Sequence, residues 1–283
     1  MEYNVGITGH SGVLGKKFIK IFKKKVNFYL YKGNINNKSQ IKKWINNNNF
    51  DILIHFAAIV PIKLVNSNKY KALQTNFYGT VNLLESIKNK KLWFFFASTS
   101  HVYKKTNYKL TENCATIPSS YYGKTKLLTE KFIVKYCKKN SNIKYCIGRI
   151  FSFTDFSQHN SFLIPSLVKK IIKYKNNEKK TFILKNSNII RDFVSIEDIC
   201  FAIFILMKKK CKGIFNIASG KNITLKKIFL AIQKKIQLKK KVLFINNKRN
   251  DSLLASVNKL RRYGWRNRNN FDNIVSQYLT NIK

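Results

Sequence analysis

Acidic residues are scarce in this sequence: 12 Asp and Glu stand against 55 Lys and Arg in 283 residues, giving a formal net charge of +43. So basic a chain is compatible with nucleic-acid binding through phosphate contacts. The lysines, however, are spread through the whole chain, and Lys, Asn and Ile are over-used together. A drift in composition explains this better than one nucleic-acid groove, so we expect no nucleic-acid partner. In either case the positive field favours an anionic substrate.

Long hydrophobic runs are also missing. The longest, residues 199–207, is too short to span a bilayer. The chain opens on a strand-like segment, residues 3–8, instead of a charged start followed by an apolar run and a cleavage site. We therefore expect a cytoplasmic protein that does not enter a membrane. The 45% hydrophobic content is that of a globular protein with a sizeable core.

Cysteines are few and show no pattern. There are five, an odd number, without a C-x-x-C spacing: Cys114, Cys137, Cys146, Cys200 and Cys211. This excludes a disulfide framework and a zinc site of the usual spacing, and we predict no metal site.

A glycine-rich loop follows the first predicted strand. Gly9, Gly12 and Gly15 lie between residues 3–8 and an amphipathic helix that is predicted to begin near Lys16. Glycines at this spacing permit a tight turn, the approach of a pyrophosphate and close packing of helix on strand. The alternative is a plain glycine-rich turn. We favour a dinucleotide loop whose other contacts come from His10, Ser11, Val13 and Leu14.

The next two predicted strands bear on the cofactor. Residues 26–31 end in Tyr31 and Lys32, where an NAD-binding strand would carry an acid for the ribose hydroxyls. A cation there tolerates a 2'-phosphate, so the sequence favours NADP(H) over NAD(H). Residues 50–58 are predicted to form a buried strand that ends in Phe56, Ala57 and Ala58. The small residues at its end would let the backbone pass close to a cofactor. His55, inside this run, is predicted to be a packed core histidine.

Hydroxyl groups and a Tyr-Lys pair come next. The predicted strand 92–97 runs into Ser98, Thr99 and Ser100, where ligands bind in open parallel sheets. Tyr122 and Lys126 are four residues apart in a predicted helix that opens at residues 118–126 and continues to about residue 136. They therefore share one face. A nearby ammonium would lower the pKa of the phenol. By itself this spacing arises easily by chance.

The remaining predicted elements include a helix over residues 72–88, which contains Asn76, and a segment over 188–194, which contains Arg191. Ser195 is predicted to cap an apolar helix reaching residue 207. A strand over 213–218 and a basic helix over 224–236 follow.

Six of these motifs, in this order, resemble the extended short-chain dehydrogenase/reductase family, also called the NAD-dependent epimerase/dehydratase family: residues 8–15, 56–58, 98–103, 122–126, 191–193 and 216–220. The resemblance implies an α/β fold with a doubly wound parallel (Rossmann) sheet and a smaller, discontinuous C-terminal substrate lobe. The dinucleotide domain would comprise residues 1–150 and about 188–212, and the substrate lobe 151–187 and 213–283. It also implies a homodimer formed through the helices over 72–88 and 122–136.

The resemblance assigns roles residue by residue. Tyr122, Lys126 and Thr99 fall on the family's catalytic residues, and Asn76 falls on an asparagine beside the cofactor. The substrate would be a nucleotide-diphosphate sugar. Its contacts would be Thr99, Ser100, Ser152, Arg191, Lys248 and Arg249, although strict register leaves the role of Arg249 open.

Three functions remain open. Family dehydratases carry an Asp-Glu pair directly after the catalytic threonine, where this chain has Ser100 and His101. A hydroxyl and an imidazole do not reproduce that acid pair, which disfavours dehydration. The sequence looks most like GDP-4-keto-6-deoxymannose reductase and related deoxysugar reductases. The alternatives are a nucleotide-sugar 4-epimerase and, from another class, a non-catalytic RNA-binding relative.

Overall fold

The computed structural model describes residues 3–60, 62–175, 181–239, 241–246 and 252–280. Its strands are β1 (Tyr3–Thr8), β2 (Val26–Leu30), β3 (Ile52–His55), β4 (Leu92–Thr99), β5 (Ile143–Ile150), β6 (Phe182–Lys185), β7 (Ile190–Asp192), β8 (Gly213–Ile217), β9 (Asn222–Thr224) and β10 (Val242–Ile245). Its α-helices are α1 (Val13–Phe22), α2 (Lys38–Asn46), α3 (Ile62–Ser67), α4 (Lys69–Leu73), α5 (Gly79–Ser86), α6 (Tyr121–Lys139), α7 (Leu163–Lys175), α8 (Ile196–Lys208), α9 (Leu225–Ile236), α10 (Asn258–Arg262) and α11 (Phe271–Thr280).

Six strands form one parallel sheet in the order β2-β1-β3-β4-β5-β8. The parallel strands are joined by crossover connections. The first places β2 on one side of β1, and the second places β3 on the other side. For example, Val5 lies opposite both Phe28 and Ile52. The reversal of strand order between β1 and β3 makes a crevice at the carboxyl ends of the strands, where open α/β sheets bind ligands.

Apolar side chains cover both faces of the sheet, as a parallel sheet requires. One face packs against α1 and α8 and includes Phe18, Ile203 and Trp265. The other packs against α2, α5 and α6 and includes Ile41, Leu83 and Ile133. The predicted doubly wound α/β fold is confirmed. Among the described residues, no helix is both long and apolar enough to cross a membrane.

The helix predicted over residues 72–88 is interrupted. A π-helical turn, Gln74–Tyr78, separates α4 from α5. The Thr80 hydroxyl donates to the Asn76 carbonyl at 3.1 Å. The Thr129 hydroxyl lies 3.0 Å from the same carbonyl and 2.8 Å from the Thr125 carbonyl of its own helix. Such hydroxyls compete with backbone N–H groups for a helical carbonyl, and π turns often occur where they do.

Other boundaries also moved. The strand predicted over 50–58 is shorter in the structure: β3 is Ile52–His55, and its last bond to β1 is from Phe56 N to the Thr8 carbonyl at 3.0 Å. Helix α2 begins at Lys38, where the Asn37 side chain caps it by accepting from Gln40 N at 3.0 Å. The short helix α3 and the strands β6, β9 and β10 were not predicted.

A third apolar cluster lies apart from the sheet. The helices α7, α9 and α11 contribute Leu167, Phe229 and Val275, and β6 contributes Leu184. Two parallel strands, β6 and β10, pair beside it. The division of the chain into two lobes stays a proposal. However, β8 pairs with β5, so residues 213–217 belong with the sheet and not with the substrate lobe where the sequence placed them.

Asp192, at the end of β7, holds the turn that follows β8. Its carboxylate accepts from Ser219 N at 2.8 Å, Ser219 Oγ at 2.6 Å and Gly220 N at 2.9 Å. Gly220 has a φ of +73°, a conformation that favours glycine. Burial raises the pKa of Asp192 to about 6, and these hydrogen bonds oppose the rise.

Replacing Asp192 with Asn should lower the free energy of unfolding by about 1 to 3 kcal/mol, because an amide nitrogen takes the place of one acceptor oxygen and faces a buried N–H donor. Urea unfolding measures this loss. Asp51→Asn is the control: Asp51 pairs with Lys210 at 2.8 Å with both side chains about half exposed, and such pairs contribute about 1 kcal/mol or less. Equal losses in the two variants would contradict the anchoring role of Asp192.

Candidate active site

The glycine loop is tight on its inner side and open on its outer side. Gly9 has a φ of +72°, and a Cβ there would overlap the main chain at residues 56–57; a Cβ at Gly15 would overlap the Gly9 carbonyl. At Gly12 a Cβ would meet only the Gly9 carbonyl oxygen, at 3.4 Å. Gly12 is also the N-cap of α1 and brings no capping side chain. The first N–H groups of α1 can therefore receive a pyrophosphate, which fits the predicted dinucleotide.

Neighbouring side chains fix this loop. The His10 ring, through Nδ1, lies 3.0 Å from the Tyr31 carbonyl at the end of β2. The Tyr31 phenol turns inward and donates to the Asn34 carbonyl at 2.8 Å, while Lys32 is exposed. Of the other predicted cofactor contacts, Ser11 is exposed and Val13, Leu14, Phe56, Ala57 and Ala58 are half-buried around the loop.

The start of α6 lies against the turn that follows β4. Ser120 caps the helix by accepting from Gly123 N at 3.1 Å. A Cβ at Gly123 would overlap the His101 carbonyl, so the glycine is what lets the two segments meet. As a result, Tyr122 is buried beside Thr99, and the ring of His101 stands edge-on to the Tyr122 ring with centroids 6.0 Å apart.

Burial raises the pKa of Tyr122, and the Thr99 side chain opposes the rise. The predicted lowering of the Tyr122 pKa by Lys126 stays a prediction, because burial is the largest effect here and raises that pKa. The Lys126 ammonium donates to the Ala97 carbonyl at 2.8 Å and lies 4.4 Å from the centroid of the Phe96 ring. With its pKa raised in this way, the Tyr122 phenol keeps its proton at neutral pH.

Lys126 is itself perturbed. Only 2% of it is exposed, and burial lowers the pKa of its ammonium to about 7, against the opposing effect of the Glu130 carboxylate. Near neutral pH this cation is on the edge of losing its proton.

Asn76 connects α6 to the loop after β3. Its amide oxygen accepts from Ile59 N at 2.8 Å, and its amide nitrogen donates to the Ile59 carbonyl at 3.0 Å and to Thr125 Oγ1 at 3.3 Å. Thr125 in turn donates to the Tyr122 carbonyl at 2.8 Å. Both amide hydrogens of Asn76 are thus used inside the protein, and the predicted contact of Asn76 with the cofactor stays a prediction.

His55 has the structural role that was predicted. Its Nδ1 lies 2.6 Å from Thr8 Oγ1 and its Nε2 lies 2.9 Å from Thr80 Oγ1. Burial, followed by the charge of Lys126, lowers the pKa of His55 to about 3, so the ring is neutral. It joins β1 to the π turn through Thr80, which also donates to Asn76.

The sequence reasoning missed a buried ion pair behind Lys126. Arg149, on β5, donates to Glu130, on α6, from Nη2 at 2.7 Å and from Nε at 3.1 Å. The Ser98 hydroxyl also donates to Glu130. The available signal was spacing: Glu130 is four residues after Lys126 and eight after Tyr122, and therefore on the same face of the helix.

The predicted substrate residues are only partly brought together. Ser100 is buried beside Thr99, and Ser152 is half-buried, with its carbonyl accepting from Val194 N at 2.9 Å. Arg191, on β7, donates from Nη1 to the Ile190 carbonyl at 2.8 Å. Burial lowers the pKa of His101, and the charge of Arg191 adds to the effect. The predicted contacts Lys248 and Arg249 lie outside the described residues.

Comparison with known proteins identifies the family. A family model described as GDP-mannose 4,6 dehydratase matches residues 15–278. The chain belongs to this family. Membership agrees with the extended short-chain dehydrogenase/reductase resemblance of the sequence motifs, and family members include enzymes of several nucleotide-sugar reactions.

Individual relatives of this family member differ in activity. GDP-6-deoxy-D-talose 4-dehydrogenase of Aggregatibacter actinomycetemcomitans is 26% identical over 270 residues, 90% of this chain and 88% of the relative. UDP-glucose 4-epimerase of Mycoplasma genitalium is 33% identical over 198 residues, 60% of this chain. That match spans only 56% of the epimerase's own length.

Solved structures share the fold. RMD from Pseudomonas aeruginosa, in complex with NADPH, superposes with a TM-score of 0.88 at 19% identity over 99% of this chain and 97% of that one. Thermus thermophilus UDP-glucose 4-epimerase, in complex with NAD, gives a TM-score of 0.82 at 17% identity, covering 99% and 100%.

Two glycine variants should separate folding from cofactor binding. Gly15→Ala should cost about 2 kcal/mol or more of stability, because a new methyl group overpacks the loop. Gly12→Ala should cost less than about 1 kcal/mol, the usual difference between Gly and Ala at an N-cap, yet weaken dinucleotide binding at least about tenfold by occupying the open side. Thermal unfolding and NADPH fluorescence titration measure the two effects. Unchanged NADPH affinity in Gly12→Ala would contradict the pyrophosphate site.

Proposed function

We propose that this protein is an NAD(P)-dependent oxidoreductase that reduces the C4 carbonyl of a nucleotide-linked 4-keto-6-deoxy sugar. The observation that carries the proposal is the protonated Tyr122 phenol, buried beside Thr99 at the carboxyl end of β4, on the sheet edge that also carries the open glycine loop. A reduction needs a proton donor at the carbonyl oxygen, and this phenol supplies one.

In this mechanism Thr99 orients the sugar carbonyl by donating its hydroxyl hydrogen. The nicotinamide, when bound, supplies the hydride that C4 receives. Tyr122 donates its phenolic proton to O4 as negative charge develops there, so the carbonyl becomes a hydroxyl with one hydride and one proton added. The Lys126 ammonium, one helical turn away, stabilises the phenolate that remains.

The cofactor is proposed to be NADP(H). No acidic residue occurs between residues 26 and 36, so none follows β2 to accept from the ribose hydroxyls, and Lys32 is exposed at that position. The similar structure of RMD contains NADPH, which supports the same assignment.

Dehydration is disfavoured despite the description of the family model. The two positions after Thr99 are Ser100, which is buried, and His101, whose pKa is lowered by burial. Neither provides a carboxylic acid to protonate a leaving hydroxyl. A nucleotide-diphosphate sugar is the proposed substrate, with its diphosphate near Arg191.

The second candidate is a nucleotide-sugar 4-epimerase, favoured by the 33% identity with the Mycoplasma genitalium enzyme. The two reactions differ in stoichiometry. A reductase consumes one NADPH per sugar, whereas an epimerase returns the hydride to the same carbon and leaves the cofactor unchanged overall.

A homodimer through α5 and α6 stays a prediction. Tyr78, directly before α5, and Leu128, on α6, are exposed apolar side chains on the surfaces that would pair, which supports it.

Purified protein incubated with NADPH or NADH and a panel of 4-keto nucleotide sugars should oxidise NADPH in proportion to the sugar reduced, with the loss followed at 340 nm. Tyr122→Phe should lower kcat by about 100-fold or more, because the proton donor is lost, while NADPH affinity is retained. Tyr121→Phe, one residue away, is the matched control and should retain activity. Unchanged turnover in Tyr122→Phe would overturn the assignment, and C4 inversion without NADPH loss would favour the epimerase.

A further inference from the structure

Glu130 occupies an unusual place for a carboxylate. It is 2% exposed and lies one turn after Lys126 on the inner face of α6. Arg149, 3% exposed, donates two hydrogen bonds to it, and Ser98 donates a third. All of these groups are fully enclosed, so their charges act on neighbouring residues with little screening by solvent.

The register of the sheet fixes this arrangement. Ser98 on β4 pairs with Arg149 on β5, so their side chains lie side by side beneath α6. The carbonyl of the preceding residue, Ala97, accepts a hydrogen bond from the Lys126 ammonium at 2.8 Å. Ala97 and Ser98, consecutive on β4, thus form hydrogen bonds with Lys126 and Glu130, which lie one turn apart on the inner face of α6.

Lys126 faces few other charges. On β3 it meets His55, which is neutral, and on its own helix Tyr122, which is protonated. On β4 it meets an aromatic ring and a carbonyl. The cation Arg149, on β5, is bound to the Glu130 carboxylate. Glu130 is therefore the carboxylate that compensates the buried charge of Lys126.

We propose that Glu130 is a positioning residue that keeps Lys126 in its ammonium form, and that Arg149 and Ser98 serve by holding this carboxylate ionised and in place. The inference rests on the proposed function, in which the Lys126 ammonium supports the phenolate of Tyr122. Without Glu130, a lysine in so dry a site would lose its proton below neutral pH. With Glu130 one turn away, the loss occurs only near pH 7.

A purely structural ion pair would behave differently. Breaking it would lower stability and turnover by similar factors at every pH. A residue that sets the charge of Lys126 must also change the pH at which activity is lost.

The pH dependence of kcat/KM for NADPH oxidation therefore tests the proposal. Activity should fall as the pH rises through the pKa of Lys126. In Glu130→Gln, which removes the charge and keeps the shape, the midpoint of this fall should move down by about one pH unit or more, the usual effect of losing a nearby opposite charge. Glu130→Asp, which keeps the charge, should move it by less than half as much. Equal loss in both variants with an unmoved midpoint would overturn the proposal.

A stability measurement gives an answer that does not depend on catalysis. The pKa of Lys126 is about 7 in the fold, below its ordinary value of 10.5, so the unfolded chain binds more protons between these values. Lys126 consequently makes the fold more stable as the pH rises across that range. The unfolding free energy of the wild type minus that of Lys126→Met should therefore increase as the pH rises.

The same free-energy difference can be measured between Glu130→Gln and Glu130→Gln/Lys126→Met. There its increase should begin at a pH lower by about one unit or more. If Glu130→Gln does not fold, the double variant Glu130→Gln/Arg149→Met removes the uncompensated arginine and should show the same displacement. If the increase begins at the same pH with and without Glu130, the proposal is overturned. If it begins at lower pH without Glu130 but the protein reduces no 4-keto sugar, the role of Glu130 is supported and the proposed function is contradicted.

Discussion

Burial of the Lys126 ammonium is the constraint on which the site depends. An unpaired ion in a dry interior is strongly disfavoured, and the fold offsets this with three interactions. The Ala97 carbonyl accepts a hydrogen bond, the Phe96 ring lies under the charge, and the Glu130 carboxylate is one turn away. These interactions join α6 to β4, where the Tyr122 phenol lies beside Thr99.

The same packing explains why so much of the surrounding polar structure is buried. Asn76, Thr125 and Thr80 form hydrogen bonds that run from the π turn to α6 and to His55. Such networks stabilise a structure only when their members are satisfied, and here they hold the loop after β3 against α6. The glycine loop, fixed by His10 and by the tight contacts of Gly9 and Gly15, completes a rigid crevice at the switch point of the sheet.

Local patterns in the sequence predicted the parts of this site that depend on spacing: the glycines, the hydroxyls after β4 and the Tyr122–Lys126 pair. They failed where distant segments decide. The π turn contains Asn76, whose carbonyl lies 3.0 Å from the hydroxyl of Thr129, 53 residues away in the sequence. The contact of Arg149 with Glu130 depends on the pairing of β4 with β5. The raised pKa of Tyr122 follows from burial, which spacing does not reveal.

Transfer of deuterium from the cofactor tests the central claim, reduction at C4, most directly. With NADPH deuterated at the transferable position and a 4-keto-6-deoxy nucleotide sugar, NMR of the product should show one deuterium at C4 for each NADPH oxidised. A product without deuterium at C4, or a sugar inverted at C4 with the NADPH intact, would contradict the reductase assignment.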